Sequence, residues 1–313
     1  MDRDRVLAAA PLLAAVLWGG MYVVSKWGFQ KIPPLTLAFL RIGLGAGTLY
    51  LIVRITTPPR TFSRREWWRF TTLAIWLTAA LTTQFVGTDL TNASQGSLLT
   101  VLTPVFMIFL GREVLGEQLT REKVAGIGLA LIGTLVVIVG QYDLSTLTSG
   151  NLFGVGLLLS SAFCFAAFSV FGKPLIERYS ALETVTYSTV LSVPLFGMLV
   201  PVELYVNPTA LNSIPMTLPI VGVLLYLGLL STAAAWYCWY KGMEYADAST
   251  VAVFFFAQPV VGILLGAVFL HESVGIETIG GGLLLAIGVY IVDTENQSSE
   301  KQPRQKEVPP RGN

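Results

Sequence analysis

The feature that most constrains this chain is a succession of apolar runs, each close to the length of a bilayer-crossing helix. A helix needs about 20 apolar residues to cross the hydrocarbon core. Reading between charged and Pro/Asn-rich breaks gives ten such segments, at approximately 6–25, 35–54, 67–88, 93–111, 121–140, 151–172, 182–200, 217–240, 247–270 and 276–292. In lipid every backbone group must be satisfied within the protein, and the runs are too long for barrel strands, so the expectation is helix. Only 12% of the residues are charged, against about 25% in soluble domains, and mean hydropathy is +0.66. These values exclude an ordinary soluble enzyme and a disordered chain. A net charge of +1 offers no basic excess for nucleic acid. The fold class expected is an all-α integral membrane protein.

Lys and Arg orient it. With the N-terminus cytoplasmic, 17 of the 20 basic residues fall on the cytoplasmic side; Lys26 and Lys31 fall outside and Arg41 lies within a segment. The positive-inside rule therefore places both termini in the cytoplasm. A secretory signal at the first segment is disfavoured, since the run is long and no small-residue cleavage site closes it. Residues 293–313, rich in Gln, Ser, Glu, Lys and Pro, read as a disordered cytoplasmic tail.

The chain also repeats itself. Asn92-Ala-Ser-Gln-Gly-Ser-Leu-Leu-Thr-Val-Leu-Thr-Pro104 parallels Asp247-Ala-Ser-Thr-Val-Ala-Val-Phe-Phe-Phe-Ala-Gln-Pro259. Glu117 and Glu272, Gly126 and Gly281, and Gly133 and Gly288 continue the match, always at an offset of 155. Earlier in the chain Lys26 aligns with Lys173 at an offset of 147. Each half then holds five segments, in residues 1–145 and 146–292. Five is odd, so the second half enters the membrane from the opposite side. Inverted repeats of this kind occur in carriers that work by alternating access, with the site near mid-membrane between the halves. Duplication in a structural membrane protein is the plainer alternative.

Trp18-Gly-Gly…Lys26, Pro34-Leu-Thr-Leu-Ala-Phe-Leu-Arg41, the Ala-Ser…Pro helices and the Leu115-Gly-Glu117-Gln-Leu-Thr120…Gly126 turn resemble the EamA-like branch of the drug/metabolite transporter superfamily. The resemblance covers about residues 8–292, twice over. It implies ten helices, a central cavity lined by the first four helices of each half, and a peripheral last helix. In the second half Phe165 stands where Trp18 stands in the first, and Ser188 where Arg41 stands, so the two walls are chemically unequal. The resemblance also implies an inner-membrane exporter of small metabolites such as amino acids.

Several residues qualify for a substrate site. Arg41 is the one cation deep in a segment, and an intramembrane charge is a functional hypothesis by default. It could bind a carboxylate, or instead snorkel or cap a neighbouring helix. Trp18, Tyr22, Tyr187 and Trp236 offer apolar faces with a polar handle; lipid-belt placement is the alternative. Thr100, Thr103, Ser161 and Gln258 are polar groups at similar depth. Pro104 and Pro259 fall in mid-helix, where proline removes a donor and frees the carbonyl four residues back. They read as helix kinks that flex, or as static packing kinks. Lys26 reads as an interface anchor.

No acidic residue sits at mid-depth, which disfavours a small proton-coupled multidrug antiporter. His271 lies at an outer turn. Two cysteines without metal spacing, a single histidine and glycines inside apolar helices give no sign of a cofactor, a metal or a phosphate loop. An intramembrane enzyme is disfavoured for the same reason. The partners expected are a small-molecule substrate and the lipid bilayer, with the chain a monomer or weak homodimer. An organic-anion or phosphorylated-metabolite exchanger and a non-transporting scaffold remain as alternatives.

Overall fold

The computed structural model describes residues 10–91, 96, 99–141, 151–206, 217–261 and 275–301. Every regular element among them is helical: α1 (Ala10–Gly19), α2 (Met21–Phe29), α3 (Pro34–Thr56), α4 (Arg64–Leu90), α5 (Leu102–Leu115), α6 (Arg121–Gln141), α7 (Leu152–Arg178), α8 (Ala181–Val206), α9 (Leu218–Leu225), α10 (Ala235–Met243), α11 (Ala248–Ala252) and α12 (Ile276–Lys301). A π-helical stretch, Tyr226–Ala234, joins α9 to α10, and a 3-10 stretch, Val253–Phe256, follows α11. Six helical runs are long and apolar enough to cross a membrane: Ala10–Phe29, Pro34–Thr56, Arg64–Leu90, Leu152–Arg178, Ala181–Val206 and Leu218–Met243. The expected segments at 93–111 and 247–270 fall partly outside the described residues, as do His271 and Glu272.

Local chemistry sets the helix ends. Ser63 and Glu66 form a capping box at the start of α4, each satisfying the other's backbone N–H. Asn151 caps α7 through the N–H groups of Phe153 and Gly154. Gly116 ends α5 in the left-handed region at φ 69°, where a side chain would be strained. Other ends are capped from a distance. Glu203 accepts from the N–H groups of Leu35 and Thr36 and from the Thr36 hydroxyl, each at 2.8 Å. Glu117 accepts from Ala248 N–H at 2.7 Å and Ser249 N–H at 2.9 Å. A carboxylate there also meets the positive end of the helix dipole.

Lys26 proves to be more than an interface anchor. Its ammonium donates to the carbonyls of Thr88, Asp89 and Thr91 at the end of α4. Lys173 does the same at the end of α10, donating to the carbonyls of Met243 and Ala246. Thr88 and Met243, like Thr91 and Ala246, differ by the repeat offset of 155.

Close packing relies on small residues, as expected where hydrophobicity alone cannot drive helices together. A Cβ on Gly126 would lie 2.8 Å from the Gly288 carbonyl oxygen, and one on Gly133 would lie 2.5 Å from that of Gly281. These pairs bring α6 and α12 together backbone to backbone. Gly45 lies equally close to the π-helical stretch, at Gly228 and Thr232. Within the two glycine runs of the sequence, Gly43, Gly47 and Gly280 face open space, so one glycine per run makes the contact.

One boundary differs from expectation. α12 continues to Lys301, so residues 293–301, read as disordered tail, extend a helix. Its apolar stem packs on α6 and supplies the nucleus, and once nucleated a helix propagates through Glu, Gln and Lys at little expense. Residues 302–313 lie outside the described residues.

The glycine contacts generate a controlled test. Gly133→Leu should destabilise the protein by about 2–3 kcal/mol, because backbone on α12 must move. Gly128→Leu, where a Cβ meets nothing within 4 Å, should leave the detergent-solubilised thermal midpoint unchanged.

Candidate functional site

A cavity opens where α1, α2, α3, α4, α7, α10 and the two irregular stretches converge. It is lined by Trp18, Met21, Arg41, Gln84, Thr100, Phe165, Trp236, Phe255 and Gln258. Its free interior holds about one water molecule. Five of the lining residues precede residue 146 and four follow it, so both halves of the chain contribute.

Among the described residues Arg41 is its only lining charge. The residue is 1% exposed and has no carboxylate within ion-pair distance among the described residues. It neither snorkels nor faces water; its donors turn to the π-helical stretch. Nε donates to the Thr232 hydroxyl at 2.7 Å, and Nη2 to the Ser231 carbonyl at 3.1 Å and its hydroxyl at 3.2 Å. Nη1 reaches Met21 Sδ at 3.2 Å, and the guanidinium lies 5.5 Å from the centre of the Phe85 ring. A π turn leaves carbonyls off the i→i−4 ladder; here Arg41 and Trp18, whose Nε1 donates to Ser231 O at 2.9 Å, collect one of them. At the equivalent place in the second half, Ser188 merely donates to Thr184 O one turn back.

Around the cation runs a one-way chain of hydrogen bonds. Gln84 Nε2 donates to Tyr22 Oη at 2.9 Å, Tyr22 donates to Thr100 Oγ1, and Thr100 donates to Gly96 O at 2.7 Å. That chain leaves Gln84 Oε1 buried without a partner among the described residues. The Trp236 Nε1 donor is also buried without one. Gln258 donates to Trp18 O at 3.2 Å, at the join between α1 and α2. The remaining wall is aromatic: Trp18 lies 4.8 Å from Trp236 and 5.5 Å from Phe255, centroid to centroid, and Phe165 lies 5.5 Å from Trp236.

Of the residues singled out from sequence, Trp18, Arg41, Thr100, Trp236 and Gln258 line the cavity, and Tyr22 stands behind it. Three do not. Ser161 donates to Ala80 O at 2.8 Å, stitching α7 to α4. Thr103 is fully buried outside the lining. Tyr187 sits in an aromatic cluster with Phe62, Trp67 and Phe70, at 4.8–5.8 Å. It lies only six residues into α8, about 9 Å along the axis, too near the helix end to reach the cavity. Met21, Gln84 and Phe255 line it without having been singled out, as does Phe165, named from sequence only as the counterpart of Trp18. Met21 and Gln84 lie one helical turn from chosen or neighbouring residues, and a polar amide inside an apolar run was the available signal for Gln84.

Pro104 and Pro259 stand just after breaks in the helical ladder. A turn at Val101 precedes Pro104, and the 3-10 stretch Val253–Phe256 precedes Pro259. The Phe256 carbonyl beside that break accepts from the Thr134 hydroxyl at 3.3 Å.

Below the aromatic cluster, Glu66 accepts from Arg178 Nη2 at 2.7 Å and from the Tyr179 hydroxyl. Desolvation, and next the Glu66 carboxylate, push the Tyr179 hydroxyl above its ordinary value, so it stays a donor. These contacts tie the start of α4 to the α7–α8 turn.

Arg41 should not hold the fold. An uncompensated buried charge is costly, so exchanging it for an apolar side chain of similar length removes a desolvation cost that offsets the hydrogen bonds lost. Ser231 O would keep Trp18, and Thr232 would keep its bond to Leu227 O. Arg41→Met should therefore leave stability within about 1 kcal/mol of the parent, or raise it, as read by thermal denaturation in detergent.

The sequence profile of the EamA-like transporter family matches residues 6–139 and 152–293. An uncharacterized transporter of Archaeoglobus fulgidus is 30% identical over 89% of this chain and 94% of its own length. A protein of Salmonella typhimurium named "probable amino-acid metabolite efflux pump" is 28% identical over 92% of this chain and 94% of its own. One solved crystal structure superposes with a TM-score of 0.73 over 95% of this chain and 99% of that one, at 18% identity, a likeness of fold. With most of its length matched and six helical runs able to span a bilayer, the chain is a multi-pass membrane protein that belongs to the EamA-like transporter family.

Proposed function

We propose that the chain is a secondary carrier that moves small metabolites such as amino acids out of the cell by alternating access. Its working parts are two inverted five-helix repeats, residues 1–145 and 146–292, ten spans in all. The observation that carries this reading is a crossed pair of contacts. Gly126 meets Gly288 and Gly133 meets Gly281, while the repeat equates Gly126 with Gly281 and Gly133 with Gly288. When residue i meets the equivalent of j and j meets the equivalent of i, the interface is isologous and a two-fold axis runs through it. The matched lysine caps, Lys26 on α4 and Lys173 on α10, support the same axis. The doubled family match supports the repeat.

A cavity between two such halves can face either side in turn. On this reading the ion pair of Glu66 with Arg178 and the Phe62–Tyr187 cluster, which tie α4 to the α7–α8 turn, close one end of it. By the bias of its basic residues that end is cytoplasmic, in an inner membrane, with both termini on the same side. The chain acts as a monomer or weak homodimer. Amino acids enter as candidate cargo through the name of the Salmonella typhimurium relative. Organic-anion exchange is the second reading, favoured by Arg41 standing in the cavity without an acidic partner.

Metabolite profiles of deletion and overexpression strains test export, with excreted and retained pools expected to move in opposite directions. Orientation is tested by cysteines at Ser145 and Asn212 in a background lacking Cys164 and Cys238. An impermeant reagent added outside should label both and spare a cysteine at Ser63; the reverse pattern would invert the topology. The mechanism is tested at the prolines. Alanine restores a backbone donor, and the two helices run in opposite directions. Pro104→Ala and Pro259→Ala should shift external accessibility in opposite senses, and a bias of about 1.4 kcal/mol would change the population ratio tenfold. Shifts of the same sign would reject symmetric exchange.

A further inference from the structure

The cavity has a charge imbalance and two open hydrogen-bonding positions, which together describe a ligand. Arg41 brings a full positive charge to a site 1% exposed. Among the described residues no Asp or Glu lines the cavity. The hydroxyls and carbonyl that Arg41 reaches are dipoles, which solvate the charge without neutralising it. Among the described residues Trp236 Nε1 is a donor with nothing to donate to, and Gln84 Oε1 an acceptor with nothing to accept from; both side chains belong to residues 3% exposed. An unmet buried polar group is costly, so a ligand that meets both gains over one that meets neither.

From this we infer that the cavity selects monocarboxylates that carry no ammonium group but do carry a neutral donor beside the carboxylate: 2-hydroxy acids and N-acylated amino acids with an apolar body. The inference rests on the carrier reading, takes its organic-anion branch over free amino acids, and names the cargo. The carboxylate neutralises Arg41, and a guanidinium fork suits its geometry. A second oxygen of the ligand takes the Trp236 indole N–H. The hydroxyl or amide N–H donates to Gln84 Oε1. The apolar body lies against Trp18, Phe165 and Phe255, which must part to admit it, since the cavity as it stands holds about one water molecule.

A free amino acid fits less well. It is a zwitterion, so its entry leaves the site with the same net charge of +1. Its ammonium is held within a few ångströms of the guanidinium by its own covalent frame, meets no carboxylate, and loses its water. The aromatic rings, in contact with one another at 4.8–5.5 Å, offer cation–π attraction, which falls short of the carboxylate partner a buried ammonium needs. A phosphorylated metabolite fits less well for the opposite reason, since one cation leaves a dianion half neutralised.

The test uses three ligands of nearly one shape: leucine, 2-hydroxy-4-methylpentanoate and 4-methylpentanoate. Each is titrated calorimetrically into the purified full-length protein in detergent at pH 7.5. The hydroxy acid should bind at least tenfold more tightly than leucine, and more tightly than 4-methylpentanoate, which lacks the donor. Gln84→Glu keeps the side-chain shape but gives Arg41 a counter-charge. It should weaken the hydroxy acid at least tenfold and leave leucine unchanged or improved. Arg41→Met should abolish binding of the hydroxy acid while the thermal midpoint holds.

Leucine binding as tightly as the hydroxy acid would overturn the inference, as would no binding of the acid or an unaltered ratio in Gln84→Glu. Counterflow of labelled leucine and labelled hydroxy acid in proteoliposomes separates the two levels. Leucine carried with the acid neither bound nor carried sinks the cargo assignment and leaves the carrier standing. The acid bound with neither compound carried sinks the carrier and leaves the site.

Discussion

Inside a bilayer no water is available to a stray carbonyl or a lone charge, and each has to be answered by another part of the same chain. That requirement organises most of the long-range hydrogen bonds here. Where helices run unbroken the ladder answers itself. Where they break or end, a side chain from another segment steps in: Gln258 and Tyr226 on the carbonyls of Trp18 and Leu17, Trp18 and Arg41 on Ser231, Thr134 on Phe256, and the two lysines on the ends of α4 and α10. Most of these bonds cross between the halves of the chain. The breaks therefore act as fasteners as well as joints, and they gather around one small cavity.

Seen this way, the unequal walls of the cavity have a physical meaning. The repeat supplies two similar frameworks, but the lining differs at matched positions. Thr100 faces Phe255 across the offset of 155, and Trp18 faces Phe165 across the offset of 147. One half brings the cation, the amide and the hydroxyl chain, and the other brings mostly rings. On the proposed carrier reading, the similar frameworks would serve the change of access, and the unequal side chains would give the cargo one orientation relative to the halves.

Much of this was legible before any coordinates. The long apolar runs, the buried arginine and the prolines each left a mark that length, composition or charge could reveal. The faces of the helices left none. In a soluble helix, polar and apolar stripes tell which residues look inward; these helices are apolar nearly all round, so sequence gave depth but not rotation. Ser161, Thr103 and Tyr187 share the polarity or aromaticity of true lining residues and point elsewhere, whereas Met21 and Phe255 line the cavity with no polarity to betray them. The π-helical stretch was equally silent, because Tyr226–Ala234 has ordinary helix-forming composition and the arginine that reaches it comes from α3, far away in the chain.

That stretch uncouples two quantities that are normally locked together in a spanning helix. In a regular α-helix each residue added turns everything beyond it by about 100°, so length and facing cannot be set independently. A ladder that closes five residues back lodges surplus chain within the same run. Trp236, Trp239 and Tyr240 keep their bearing on the interior although the segment before them is overlong. For descendants of this gene, loss of one residue between Tyr226 and Ala234 is thus the indel that a membrane core can absorb: the ladder relaxes to α, the aromatic face beyond stays aimed, and what changes is the grip on a single guanidinium.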